Sequence, residues 1–220
     1  TWTSSDPRIA TVTNTGLVET KGVGTTTITA TASNGKSASA SIKVEVDNPN
    51  ITGAYTYNET TCPTGREETC QPTTCLVNGT CPAGTAISYK VNDTTTQDFH
   101  ALKDNGSTLT LITKDNVTAS RWSTTDQNNT NADAAREALA IATNGWNQAA
   151  RMITKEEAES IGCSMSGNCP VWLGSKSCWT STSDSSNTIY AWALGTRGYT
   201  IHQEGVGNVY GMRAVIDVSK

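Results

Sequence analysis

The sequence predicts an all-β unit at the front of the chain and an α+β unit behind it. Three observations carry this. Residue usage changes near residue 50: a single Trp and no Cys precede it, and five of the six Trp and all seven Cys follow it. The first 47 residues alternate apolar and polar side chains between turn dipeptides, which is strand patterning. Beyond residue 84 the order is strand, hairpin, two helical segments and then a run of strands, the segregated arrangement of an α+β domain with antiparallel strands.

In the first unit, Thr27 to Thr31 is rich in β-branched residues and Asn34-Gly35 is a two-residue hairpin signal. Ala38, Ala40, Ile42, Val44 and Val46 recur at period two, predicting a strand that faces a core with small apolar side chains. The run Asp47 to Asn50 has turn chemistry and marks a boundary. The expected organisation is therefore a partial domain over 1–47, a linker over 48–54, a Cys-rich lead-in over 55–84 and the α+β domain over 85–220.

In the second unit, Ile87, Tyr89 and Val91 alternate on one side of a half-buried strand. Two strands then flank Asp104-Asn105-Gly106, the strongest hairpin signal in the chain, with His100 in the first of them as a packed or surface imidazole. Asn131 is the expected N-cap of an Ala- and Leu-rich helix that Asn144-Gly145 stops. Thr154 and Glu157 form a capping-box pattern for a second helix, ended by Gly162. Glu156, Glu157 and Glu159 read as complements to the helix dipole rather than as an acid and base pair. From Cys169 onward every segment reads as strand, including Pro170 to Gly174. The last strand, Gly211 to Ser219, sets Met212, Ala214, Ile216 and Val218 on one face and Arg213, Val215 and Asp217 on the other.

The formal charge is −4, with Lys and Arg scattered, so there is no electrostatic footprint for nucleic acid. No apolar run approaches the roughly 20 residues that span a bilayer, and any export signal is expected upstream of this sequence. Seven Cys in a polar chain point to an oxidising compartment with up to three disulfides. Cys62, Cys70, Cys75 and Cys81 crowd one loop-like stretch, their pairing left open by spacing, and Cys163 and Cys169 bracket a short loop. The gaps match no tight zinc knuckle, and Cys178 is the odd thiol, read as buried and inert.

Two resemblances add expectations. The segments from Trp2 to Val12, from Leu17 to Thr31 and from Ser37 to Val46 resemble the bacterial immunoglobulin-like group 2 domain, a family whose members act as stalks on surface proteins. That family has further strands ahead of the Trp2 element, which implies that the chain begins inside a domain with open strand edges. The run from Arg151 to Glu159, the Trp-bearing strands and the ending Tyr210 to Val215 resemble a C-type lectin-like fold, over about residues 85 to 220. The branch is the one shared by formylglycine-generating enzymes and retroelement-diversified variable proteins, with surface proteins of gut Firmicutes similar again.

The enzymes of that branch need a reactive Cys pair in the strands before the ending, and residues 179 to 220 contain no Cys. His202 has no flanking nucleophile motif, so a non-catalytic domain without cofactor is expected. The Glu-Pro-Asn and Trp-Asn-Asp signatures of calcium-dependent sugar binding are absent, leaving only Asp184 and Asn187 as a weak loop site. In the diversified relatives the strands before the final Arg-bearing one display exchangeable side chains. The resemblance then implies that Tyr190, Thr196, Arg197, Tyr199, His202, Glu204 and Asn208 contact a ligand. Ala191, Ala193, Gly195, Gly198, Val206 and Tyr210 would be scaffold, and Trp192 would turn into the core. Tyr and Arg suit such a face because they give large contact area at modest entropic cost. The expected function is a surface-displayed adhesin or receptor-binding protein, bacterial or phage, that binds a protein or glycan. A purely structural surface module is the alternative and a degenerate enzyme a weaker one.

Overall fold

The computed structural model of the chain describes residues 1–22, 24–45, 48–55, 75–76, 79–195 and 199–220. Five strands make the first unit: β1 (Trp2–Ser4), β2 (Ala10–Val12), β3 (Val18–Thr20), β4 (Gly24–Thr31) and β5 (Ser37–Val44). β1, β4 and β5 form one antiparallel sheet, and β2 pairs with β3. Ala32 and Lys36 close the β4–β5 hairpin around Gly35, whose φ of +80° is the left-handed conformation that a glycine takes without cost. The buried hydroxyl oxygen of Thr26 accepts the backbone N–H of Asp6 at 2.9 Å and fixes the turn after β1. Ile9, Ala10, Ile28 and Val44 are buried, but Ala38 and Ala40 are exposed and Ile42 is half-buried. The expected core-facing stripe on β5 is thus realised only at its Val44 end, because the short β2–β3 pair covers one end of a three-stranded sheet. Val46 lies outside the described residues.

The second unit comprises β6 (Ile51–Tyr55), β7 (Ala86–Lys90), β8 (Thr96–Asp104), β9 (Thr108–Thr113), β10 (Thr118–Arg121), α1 (Asp133–Ala142), α2 (Lys155–Ser160), α3 (Val171–Gly174), β11 (Cys178–Ser183), β12 (Tyr190–Gly195), β13 (Thr200–Gly205), β14 (Val209–Met212) and β15 (Val215–Ser219). One five-stranded sheet has the order β15-β9-β8-β7-β6 and is antiparallel throughout. The other has the order β10-β14-β11-β12-β13, antiparallel except where β11 runs parallel to β14. Among the described residues the chain is mostly β with three α-helices. Ile51–Tyr55 belongs to the first of these sheets, so pairing starts inside the stretch read as linker.

The period-two pattern of β7, β8 and β9 seals one face of the first sheet with Ile87, Tyr89, Phe99, Ala101, Leu109 and Leu111, joined by Ile216 and Val218. Its opposite face supplies Leu102, Ile112 and Val215 to a second core, which takes Cys178, Leu194 and Ile201 from the other sheet and Ile153, Ala158 and Leu173 from around α2 and α3. The far face of that other sheet packs Trp179, Ala191, Ala193 and Met212 against Ala135 and Leu139 of α1.

Three expectations are corrected. Pro170 to Gly174 is not strand but the helical turn α3, opened by Pro170 as N-cap, since its apolar run of three is too short for periodicity to separate the two states. The final segment is not one strand. It leaves one sheet after Met212 and enters the other at Val215, so Met212 and Ala214 pack in one core while Ile216 and Val218 pack in another. Asn131 is not the N-cap of α1, which is Ala132. Both residues adopt left-handed backbone, at φ 55° and 58°, as the chain turns out of the preceding 3-10 turn Asn128–Thr130. Thr154 caps α2 as predicted: its hydroxyl accepts the Glu157 N–H, and the Glu157 carboxylate accepts the Thr154 N–H and two hydrogen bonds from Arg151.

Cys75 is bridged to Cys81 and Cys163 to Cys169, whereas Cys62 and Cys70 lie outside the described residues. The Cys75–Cys81 loop is held to the β8–β9 hairpin by Asp104. That buried carboxylate accepts the Cys81 N–H at 2.7 Å, the Gly106 N–H at 2.8 Å and Lys220 Nζ at 2.8 Å, and Lys220 also reaches Gly79 O at 2.6 Å. Burial alone would raise the pKa of Asp104, but the Lys220 ammonium and the two backbone donors hold it below the ordinary carboxylate value. The stability it contributes is therefore complete above the unfolded-state carboxylate value and is lost as pH falls through the lower folded value. Asp104→Asn should lower the unfolding free energy at neutral pH by about 1–3 kcal/mol. Urea melts across the acid range should show the gap to wild type closing as pH falls through the folded value.

Candidate functional site

The register of the β12–β13 hairpin, where the sequence places the contact chemistry, decides which side chains share a surface. Ala191 faces Glu204, Trp192 faces Gln203 and Ala193 faces His202 across the pair. Directly opposed residues lie on one face, and successive residues alternate. His202 and Glu204 therefore share a face with Ala191 and Ala193, while Tyr190, Trp192 and Gln203 are on the other.

On the first face the small side chains of β12 form a floor that long neighbours cross. Tyr210 from β14 packs on Trp179 at 5.0 Å between ring centroids and its hydroxyl donates to Glu204 Oε2 at 2.7 Å. Asn208 donates to Glu204 Oε1 at 2.7 Å, and His202 Nε2 stands 3.8 Å from Glu204 Oε2. Glu204 is the hub of this group and is only 12% exposed at its side chain, with His202 at 16%. The cluster is chemically an acceptor at the centre of donors, with Glu204 taking the Tyr210 hydroxyl and the Asn208 amide. Gly195 makes room for it: a Cβ there would stand 2.7 Å from His202 Cε1 and 3.2 Å from Ser177 Oγ.

On the second face Trp192 is half-buried against the core around Leu194 and Ile201, with Lys155 Nζ over its ring at 4.8 Å. Gln203 donates to the Asp184 carboxylate at 2.5 Å, and Ser186 donates to the same group. The loop from Asp184 to Tyr190 is fixed from a distance by Asn128, whose amide nitrogen donates to the carbonyl oxygens of Asp184, Asn187 and Tyr190 at 2.7, 2.8 and 2.7 Å. An amide thus occupies the centre of the carbonyl cluster in the loop considered for calcium. Among the described residues no group of three or more His, Cys, Asp or Glu is placed to hold a metal ion.

The predicted site residues do not form one patch. His202, Glu204 and Asn208 come together with Tyr210, and Tyr190 is at the same end of the hairpin on the opposite face. Tyr199 is at the other end, about 17 Å away given the rise along a six-residue strand. It has φ +56° and is 42% exposed. Thr196 and Arg197 lie outside the described residues. Sequence reasoning missed Asn128 and Trp179, whose partners lie some 60 positions away and leave no local signal.

Residues 1–44 match the bacterial Ig-like domain (group 2). No curated protein and no solved structure matches the chain. The Ig-like match covers the first unit alone, so the β12–β13 surface belongs to the part of the chain without a matched relative. Among the described residues no helix is long and apolar enough to cross a membrane.

Among the described residues Cys178 is a free thiol, fully buried beside Leu194. Burial pushes its pKa up to about 11, against the opposing pull of Arg213. A thiol in that state is a poor nucleophile at neutral pH. Ellman's reagent should therefore leave Cys178 unmodified in the native protein under conditions that label it fully in denaturant. Gly195→Ala should cost about 1–3 kcal/mol, as small-to-large changes in packed sites do. The same variant should shift the His202 ring resonances in an NMR spectrum, because the imidazole must move.

Proposed function

We propose that the chain is part of a surface-displayed adhesin or receptor-binding protein. Its second unit is a non-catalytic domain that binds a protein or glycan through the β12–β13 hairpin and the turn into β14. The observation that carries this reading is the hairpin itself, which holds contact-rich side chains on paired strands of a five-stranded sheet rather than on a free loop. Strands fix such groups with less entropy left to lose on binding. The Ig-like domain at residues 1–44 supports an extracellular setting, since such domains occur in surface proteins, and the disulfides suit an oxidising compartment. The second unit is read as a C-type lectin-like fold of the branch containing formylglycine-generating enzymes and retroelement-diversified proteins. The capped helix α2 ahead of Trp-bearing strands, and the Arg213 ending, support that reading.

The test is binding of the soluble protein to a glycan array and to a panel of extracellular protein domains, repeated with Tyr190→Ala, Tyr199→Ala and Glu204→Gln. We expect a specific ligand whose affinity falls about tenfold or more in at least one variant of unchanged melting temperature, the size of a hot-spot contact. Absence of binding in both panels, or binding indifferent to all three changes, would leave a structural surface module. Turnover of a ligand that one Ser, Cys or His substitution abolishes would make the domain an enzyme.

A further inference from the structure

β13 is an edge strand, and an open edge is a template for unwanted pairing. Its first half is not open. The loop closed by Cys163 and Cys169 lies along it: the Cys169 N–H donates to Tyr199 O at 2.9 Å and the Ile201 N–H donates to Ser164 O at 3.1 Å. Inside the loop, Ser164 and Gly167 exchange backbone hydrogen bonds at 3.0 and 3.3 Å, and the Ser164 hydroxyl donates to Gly167 O at 2.7 Å. The turn needs left-handed backbone at two consecutive residues, Gly167 (φ 118°) and Asn168 (φ 73°). Left-handed backbone is disfavoured for a non-glycine residue and persists where its surroundings over-determine it. The neighbouring Tyr199, itself at φ +56°, sits in a notch that exists because residue 174 is glycine. A Cβ on Gly174 would stand 3.0 Å from Tyr199 Cδ1 and 3.0 Å from Cys169 Cβ.

We infer that the Cys163–Cys169 loop is a redox-dependent strap, which in its oxidised form holds the β13 edge closed and seats Tyr199. Beside the bridge the loop is shaped by the Ser164–Gly167 hydrogen bonds, while the side chains of Met165, Ser166 and Asn168 are exposed and add no buried packing. A dithiol reductant would open it by exchange: its two thiols are oxidised to a cyclic disulfide as the protein bridge becomes two thiols, with the two protons passing to the cysteines. Both half-cystines are buried, so attack is slow and the strap stays shut in an oxidising compartment. Opening would remove the two edge hydrogen bonds while leaving β12 paired with β11 on its inner side. This holds whatever the hairpin binds.

Hydrogen exchange with mass spectrometry tests it on three samples: the oxidised chain, the chain treated with dithiothreitol, and the Cys163→Ser/Cys169→Ser variant. The last separates the effect of the bridge from slow reduction and leaves Cys75–Cys81 intact. Expected is exchange at least about tenfold faster in peptides covering 163–169 and 199–203 in the variant, with the β8–β9 hairpin unchanged, the signature of local opening. The reduced chain should approach the variant in those two peptides with time. Retained protection at 199–203 in the variant would overturn the inference, since packing rather than the bridge would then hold the strap. Loss of protection throughout the second unit would overturn it equally, by making the bridge a general staple of the fold.

Discussion

The buried guanidinium of Arg213 is the point at which the second unit is joined. It sits where the chain leaves one sheet and enters the other, between β14 and β15, and is 1% exposed. Its Nε donates to Thr113 O at the end of β9, and its Nη1 donates to Trp172 O and Leu173 O in α3. One side chain thus ties the end of the first sheet to the helical turn that covers the second. Burial lowers its pKa, against the opposing pull of Cys178 and Asp115, and three backbone carbonyl oxygens accept its hydrogen bonds. Replacing such a group by a short apolar one would leave three carbonyls without their donor in a dry interior.

The placement of the candidate hairpin follows from that join. Because β14 must run into β15, it enters the second sheet between β10 and β11, and Tyr210 is carried in beside Trp179. From there its hydroxyl reaches Glu204 across the alanine floor of β12. The chemistry at the hairpin is then not a row of free side chains. Glu204, His202 and Tyr210 constrain one another, whereas Tyr190 and Tyr199 meet solvent at opposite ends.

Much of this was legible in the sequence. The period-two runs of β7 and of β8 and β9 around Asp104-Asn105-Gly106 were readable because each obeys one local rule, as was the Thr154–Glu157 capping box. The failures share a cause. Pro170 to Gly174 was too short for period to speak, and the stretch from Gly211 to Ser219 kept its alternation while changing sheets, so pattern alone could not show the break at Arg213. In the candidate site, residue types were readable but their grouping was not. Which face each occupies depends on the pairing register of β12 and β13, and Asn128 acts on carbonyls 56 to 62 residues away.

The division of the last segment between two sheets also bears on how the chain acquires its structure. β9 waits for β15 and β10 waits for β14, each pairing separated by about a hundred residues. Asp104 likewise waits for Lys220. Long-range pairing of this kind is slow, because loop closure must precede the contacts that reward it. On the ribosome, the strands made first would remain with open edges until residues 209–220 emerge. The second unit must therefore close late, only once β14 and β15 are available to pair with β10 and β9.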